Sequence, residues 1–390
     1  MMKMNIASGN FAKAMKIARK LVPSKPSLPA YSYVQLFKKE NDYYLRAQDN
    51  EIVLDIRADF ELTGGNFEEV GLPVAGLSDM LNALPEQPLS IVFEEKQNTA
   101  GGEKGGIMEV TYENGHYSLP YCTAEDFPIP IAMEESVEMV IPVGVVCGAM
   151  RTAMAHVAND ALRPVMNTVA LDITGDRYTV VASDGHRMFV DEYLGGIGKD
   201  RTMMALISAR MIAMADSAIA LSSDPTVRLV TDGKRLSLVG DGFVLQSKLA
   251  EGRYPNYHSV IPQNQSYSVT FEKKALLSAI RRVSLMGNPN SSLICIEHKD
   301  GEFRIKAQDV DFSTSASEKL SPTQEKDVPE GFRIGFKGDF LTCCLNSLES
   351  EEIQFFLTNS SVATVMREVN GKKERLALLM PMMLNEEEWK

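Results

Sequence analysis

The chain has 390 residues, 44% of them hydrophobic and 24% charged, which suits several folded domains and excludes wholesale disorder. Forty basic against 52 acidic residues leave a formal charge of −12, so any grip on a phosphate backbone needs a local reversal of sign. The uncharged stretch Met139–Met150 holds only 12 residues and includes Pro142, which excludes a spanning helix there. MMKMNIASGNFAKAMKIARK lacks the apolar core of a signal peptide. Five cysteines (Cys122, Cys147, Cys295, Cys343, Cys344), without a CxxC, predict free thiols in a reducing cytoplasm.

The first elements lie in MNIASGNFAKAMKIARKLV from Met4: a short strand, then an amphipathic helix over Phe11–Leu21. An apolar strand and a second helix follow in VGLPVAGLSDMLNALPE. GGEKGG at Gly101–Gly106 lacks the GK[ST] ending of a phosphate loop and reads as a hairpin tip. The same grammar returns in MVIPVGVVCGAMRTAMAHV from Met139, with a helix over Pro142–Ala155, followed by MALISARMIAMADSAIAL. It returns again in YSVTFEKKALLSAIRRVSL from Tyr267, with a helix over Glu272–Met286, followed by FRIGFKGDFLTCCLNSLES. With Pro73, Ser208 and Lys337 as marks, the repeat length is about 130 residues, near the commonest domain size.

Between the helices run alternating, β-rich segments such as TVALDITGDRYTVVASD and FRIKAQDVDFSTSASEK. Turn signals punctuate them at Gly175-Asp176, Asp232-Gly233, Asp241-Gly242 and Asp300-Gly301. The repeats also close alike. Tyr117 precedes Phe127 in YSLPYCTAEDFP by the same interval that separates Val244 from Tyr254 in VLQSKLAEGRYP, and the third repeat ends in LALLMPMML, Leu376–Leu384. The pattern predicts an α+β chain of three two-helix, antiparallel-sheet domains at residues 1–130, 131–262 and 263–390.

Helix Phe11–Leu21 carries Lys13, Lys16, Arg19 and Lys20 without an acid, and Pro142–Ala155 carries Arg151. Helix Glu272–Met286 sets Lys273, Lys274, Arg281 and Arg282 against Glu272. The second helices offer Asp79, then Arg210 with Asp216, then Lys337 with Asp339 and Glu349. The six together are positive inside an acidic chain. Lys13, Lys16 and Lys20 share one helical face, as do Lys274, Ser278 and Arg281, while Phe11, Met15, Ala18 and Val22 form an apolar face. Two readings stand: solvated faces, or equivalent helices lining a surface that attracts phosphates without reading bases. Asp184 and His186, at i and i+2 on an expected strand, are the pair an enzyme reading would use. No third ligand or nucleophile accompanies them, and neither a catalytic nor a metal site is expected.

VASDGHRMFV (Val181–Val190), LAEGRYPNYHSVIP (Leu249–Pro262) and LLMPMML (Leu378–Leu384) resemble, in that order, the bacterial DNA polymerase III beta subunit, the sliding-clamp family. PSLPAYSYVQL (Pro26–Leu36) and TAEDFP (Thr123–Pro128) extend the likeness almost from end to end. The resemblance implies three domains of the DNA-clamp type per chain. Two chains would close head to tail into a ring with helices inside and sheets outside. It implies a cytoplasmic, non-catalytic accessory subunit without a cofactor that encircles double-stranded DNA and confers processivity on the replicative polymerase. The DNA-facing residues would be Lys13, Lys16, Lys20, Arg151, Arg210, Lys274 and Arg281, with Lys25 near a position often basic in the family.

The same likeness implies a pocket for short linear motifs of the DNA polymerase III alpha subunit, the clamp loader and other clamp-motif proteins. Its wall would hold Ser183, Gly185, His186, Arg187 and Met188, then Pro255 and Val260, then Leu378, Met380, Pro381 and Met382. Methionines and aliphatics suit such a floor because they adapt to many partners. Leu285 and Met286 would meet Tyr117 and Leu119 of a second chain at the homodimer interface. Three features depart from the family: VAGLSDMLNAL has no basic residue, Met383 stands where arginine is common, and NEEEWK continues past Leu384. That tail reads either as a frayed terminus or as a shade over the pocket. A second function therefore stays in view, a clamp-like paralogue acting as a peptide-binding adaptor or inhibitor without encircling DNA.

Overall fold

The structure, a computed structural model, describes residues 1–96, 105–125, 127–133, 136–195, 202–371, 374–385 and 389. Residues 101–104 of the expected hairpin tip and 386–388 and 390 of the tail lie outside them. Helix α1 (Ser8–Leu21) buries Phe11, Ala14, Met15, Ile17, Ala18 and Leu21 along one stripe, which leaves Lys13, Lys16, Arg19 and Lys20 exposed. Arg19 and Lys20 fall in its last turn, where unpaired carbonyls favour cations. Helix α2 (Val74–Ala83) packs on α1.

The helix expected over Pro142–Ala155 is irregular. Pro142 ends the strand Val137–Pro142. The chain then winds as a π-helix over Val145–Met150 and closes through one α turn, α3 (Arg151–Ala153), and a 3₁₀ turn, Met154–His156. Gly144 and Gly148 lose more backbone entropy than other residues on entering a helix, and Val143, Val145 and Val146 lose side-chain freedom there. Regular α-winding is therefore weakly favoured in this segment. Helices α4 (Ala209–Ile219), α5 (Lys273–Ser284) and α6 (Gly338–Asn346) are regular. Glu272 and Lys337 are cap residues and Glu349 lies beyond α6, so α5 carries its four basic residues with no acid at all.

The chain packs as two compact units that follow its sheets rather than the sequence repeat. The first comprises Met1–Cys147 and Arg210–Leu249, built on a thirteen-stranded antiparallel sheet. In it the strand Phe243–Lys248 pairs with Ile52–Ala58, Leu245 opposite Leu54. The second comprises Gly148–Ala209 and Ala250–Lys390, with a nine-stranded and a four-stranded sheet. In the nine-stranded sheet Arg187–Leu194 pairs with Arg375–Leu379, Met188 opposite Leu378. The central repeat thus gives strands to both units.

Below α5 and α6 a core of Leu276, Ile280, Leu341 and Leu345 meets Phe271, Phe303 and Phe355. Phe271 sits edge-on to both other rings at 5.9 and 5.8 Å. Each such side chain contributes about 1.5–3 kcal/mol by leaving water. Glycines 175, 233, 242 and 301 take positive φ, so the four expected turns form where they were read. All five cysteines are free thiols. No helix among the described residues is long and apolar enough to cross a membrane.

One turn recurs in all three repeats. Asp49 Oδ1 accepts the N–H groups of Glu51 and Ile52, both at 2.8 Å. Asp184 Oδ1 accepts those of His186 and Arg187 at 2.8 and 2.9 Å. Asp309 Oδ1 accepts those of Asp311 and Phe312 at 3.0 and 3.4 Å. The signals are Ala-Gln-Asp, Ala-Ser-Asp and Ala-Gln-Asp, where a short carboxylate closes the turn on its own backbone.

Between Arg187–Leu194 and Arg375–Leu379, Asp191 stands opposite Arg375. Its buried carboxylate accepts two bonds from the guanidinium, at 3.0 and 2.8 Å, and one from Tyr193 at 2.6 Å. Hydrogen bonds to Glu349 and Asp191 outweigh burial and push Arg375 above its ordinary value. Asp191→Ala strands a largely buried guanidinium and is expected to cost about 3–5 kcal/mol in urea unfolding. A loss below about 1 kcal/mol would mean that Glu349 and Glu368 satisfy Arg375 without it.

Candidate functional site

Asp184 and His186 stand on a tight turn between strands Arg177–Ser183 and Arg187–Leu194, not on one strand as expected. Asp184 is spent on backbone and on Arg187, whose Nε donates to its Oδ2 at 3.0 Å. Ser183 Oγ donates to the Arg187 carbonyl at 2.9 Å and accepts from Gly185 N–H at 3.1 Å. Gly185 has φ +92°, which other residues reach only with strain. The turn therefore projects His186 outward and lays Arg187 flat, its guanidinium 4.5 Å from the centre of the Phe340 ring. Lys337 Nζ lies 4.7 Å from the same centre, and the His186 ring 6.1 Å away. Two cations and an imidazole around one half-buried aromatic form a polarised, partly apolar platform.

The strand Arg375–Leu379 continues beside this turn. Met380 N–H donates to the His186 carbonyl at 2.7 Å, and Met382 N–H to the Gly335 carbonyl at 2.8 Å. Pro381, which has no N–H, falls between the two bonds. Met188 and Leu378 are almost wholly buried with Tyr254 and Tyr257 in one apolar cluster, so they form the floor rather than an exposed wall. Met380 is 41% and Val260 54% exposed. Ser183, Gly185, His186, Arg187, Met188, Leu378, Met380 and Pro381 are thus gathered by adjacent strands.

Pro255 and Val260 lie on the segment that Tyr254 and Tyr257 anchor in that cluster. Pro255 lines a cavity of about 390 Å³ with Asp172, Met204 and His258, and Met382 lines another of about 490 Å³ with Tyr267, Phe332 and Arg333. None of the other expected wall residues lines either one. Sequence reading missed Phe340 and treated Lys337 as helix charge. The available signal was an aromatic that falls off the stripe Leu341, Cys344, Leu345 which α6 buries. The tail is not frayed at Trp389, which is 5% exposed and whose carbonyl accepts a bond from Arg333.

Of the basic residues, Lys13, Lys16, Lys20, Lys25, Arg151, Lys274 and Arg281 are exposed. Lys20 also donates to Ser217 Oγ at 2.9 Å. Arg210 is committed to Asp49 and to the Leu21 carbonyl at the end of α1. Arg19 pairs with Asp79 and Arg282 with Glu318, which offsets part of the charge on α1 and α5. Among the described residues no group of three or more His, Cys, Asp or Glu is placed to hold a metal.

Residues 2–132 match the family model described as DNA polymerase III beta subunit, N-terminal domain; residues 131–256 match its central domain and 258–383 its C-terminal domain. The chain belongs to the DNA polymerase III beta subunit family. It is 24% identical to a beta sliding clamp of Synechocystis, over 98% of this chain and all of that one. Its fold matches the DNA polymerase sliding clamp of Bacillus subtilis with a TM-score of 0.87 at 18% identity, over 98% of this chain and 100% of the other. A sliding clamp from Pseudomonas aeruginosa, solved bound to griselimycin, gives 0.86 at 22% identity with the same coverage. The three-domain clamp fold of helices and antiparallel sheets that the resemblance implied is therefore the fold of this chain.

Behind the Arg187–Phe340 platform, His156 is buried against the Phe189 ring, with Nε2 3.4 Å from Ser347 Oγ and 4.0 Å from Cys343 Sγ on α6. Burial, aided by the charge of Arg187, lowers its pKa to about 4. The folded chain keeps this imidazole neutral where the unfolded chain protonates it. The resulting stabilisation is complete above about pH 6.5 and is lost as pH falls toward 4. Between pH 7 and 4 the wild type should lose about 3 kcal/mol more than His156→Gln, read from urea unfolding of both. Parallel pH profiles would refute the buried neutral imidazole.

Proposed function

We propose that this chain is a DNA sliding clamp: a non-catalytic subunit, active in the cytoplasm, that encircles duplex DNA as a head-to-tail dimer and tethers the replicative polymerase. Three clamp domains would change over near residues 130 and 262. The observation that carries the ring is the arithmetic of strand junctions. The closing strand of the second repeat pairs with the first repeat, and that of the third pairs with the second. The equivalent strands left over are Gly115–Thr123 of the first repeat and Thr314–Leu320 of the third. Over residues 115–121 the former pairs on one side only, and the latter is the edge of its four-stranded sheet. Open edges demand a cover, and two chains meeting by these two different edges satisfy both at once in a closed ring.

Exposed apolar residues flank both edges: Tyr117 on one, Leu285, Met286 and Phe312 at the other. Thr314 Oγ1 donates to the Met286 carbonyl at 2.9 Å and ties the end of α5 to the edge strand. Leu285 and Met286 opposite Tyr117 and Leu119 are our assignment for the interface. Exposed lysines and arginines on α1, α3 and α5, with Lys25, would attract phosphates loosely enough to permit sliding. The His186–Arg187–Phe340 platform with the Met380–Met382 wall would take linear motifs of the polymerase alpha subunit, the clamp loader and other clamp-motif proteins.

One observation favours the adaptor reading: Arg210 is engaged and α2 is basic nowhere, so the second helices offer DNA little. Imaging separates the two. Particles with an open centre, retained on nicked circular DNA through a salt wash and released when it is linearised, are expected of a clamp. Compact particles without a hole would leave only the adaptor. Leu285→Lys combined with Met286→Lys is expected to yield monomers that still bind partner peptide, because unpaired charges break an apolar interface. Sedimentation showing an intact dimer in that variant would sink the interface assignment.

A further inference from the structure

We infer that Trp389 is a positioning residue for the partner pocket, a buried anchor that holds the Met380–Met382 wall in place. This rests on the pocket reading above and on geometry that the chain uses twice. In the central repeat, Ala250 N–H donates to the Leu206 carbonyl at 3.0 Å. Tyr257 then follows, 4% exposed, sharing a cavity wall with Met204, and its hydroxyl donates to Asp172 at 2.9 Å. In the third repeat, Met382 N–H donates to the Gly335 carbonyl at 2.8 Å. Trp389 then follows, 5% exposed, its carbonyl bonded by Arg333. The interval from Ala250 to Tyr257 equals that from Met382 to Trp389, and Met204 precedes Leu206 by the same step as Arg333 precedes Gly335. An exit bond, then at the same interval a buried aromatic residue linked to the position two before the acceptor, is one device in two copies.

The wall needs such a hold. Within Met380–Met382 the backbone passes from a bond to His186, next to the nine-stranded sheet, to a bond with Gly335 in the four-stranded one. Met380 is 41% and Met383 94% exposed, so their side chains supply little packing of their own. Beyond Met382, Leu384 fills the space that Gly335 leaves by lacking a side chain, and Trp389 N–H donates to the Asn385 carbonyl at 3.2 Å. Removing the anchor frees the end of the wall, and the apolar floor no longer meets a peptide in one fixed shape.

Trp389 is the chain's only tryptophan, so its emission reports its seating directly. The wild type should show blue-shifted, quencher-protected fluorescence. Trp389→Ala should remain a folded dimer yet bind a labelled C-terminal peptide of the polymerase alpha subunit about tenfold more weakly, through faster dissociation. Trp389→Tyr, which copies Tyr257, should restore affinity to within about twofold. Arg333→Ala, which trims only the guanidinium, should give an intermediate loss and serves if Trp389→Ala does not fold. Emission of a water-exposed indole in the wild type would overturn the inference. So would unchanged affinity in Trp389→Ala, or tighter binding, which would make the tail a shade. A wild type that binds no such peptide, with Trp389 still protected, would sink the pocket reading and this role together.

Discussion

The candidate site depends on the pairing of Arg187–Leu194 with Arg375–Leu379. In an antiparallel sheet a slip of one residue turns every side chain to the other face. Here the register puts Met188 against Leu378 in the floor and Asp191 against Arg375 in a buried ion pair. A carboxylate and guanidinium in so dry a place tolerate one register only, since any other leaves both charges without partners. With the register set, the Asp184 turn falls beside Met380, and His186 and Arg187 reach Phe340. The geometry of the His186–Arg187–Phe340 platform is thus a consequence of strand pairing between two repeats distant in sequence.

The same junction logic underlies the ring proposed above. Each repeat offers one strand to a neighbour before it and one to a neighbour after it, and three repeats in a row leave one of each unmatched. Among the described residues the outer backbone groups on those edges make no ladder bonds, and the apolar residues beside them are exposed. In the proposed ring a second copy would supply the complementary edge. Helices α1 and α5 are basic within an acidic chain, and their apolar stripes are buried while most of their lysines and arginines face water. Part of that charge is internally offset, by Asp79 of α2 against Arg19 of α1 and by Glu318 against Arg282 of α5.

Much of this was legible in the residues. The stripe in α1, the four glycine turns and the three-fold strand–helix grammar each rest on short-range physics: side-chain periodicity, φ permitted to glycine, turn chemistry. The residues assigned to a wall were singled out only through the family likeness of their segments, because an exposed methionine after a strand has no local signature of its own. Phe340 escaped notice because its role appears only when Arg187 arrives from another repeat. The π-winding near Val145 escaped for the opposite reason: its apolar spacing suits a helix, and the glycines and valines that spoil regular winding act through entropy that a hydrophobic pattern does not display. Trp389 reads as a tail residue until the Met382–Gly335 bond shows which strand receives it.

By itself, then, the sequence determined the elements, their amphipathic faces, the repeat and the sign of charge on each helix, all of which depend on residues within a few positions of one another. Only the tertiary structure decided which strands meet across repeats, which basic residues are already engaged, and which aromatic receives Arg187. Those outcomes turn on hydrogen-bond register and burial between segments far apart in the chain, where each side chain's environment is set by partners that local sequence does not specify.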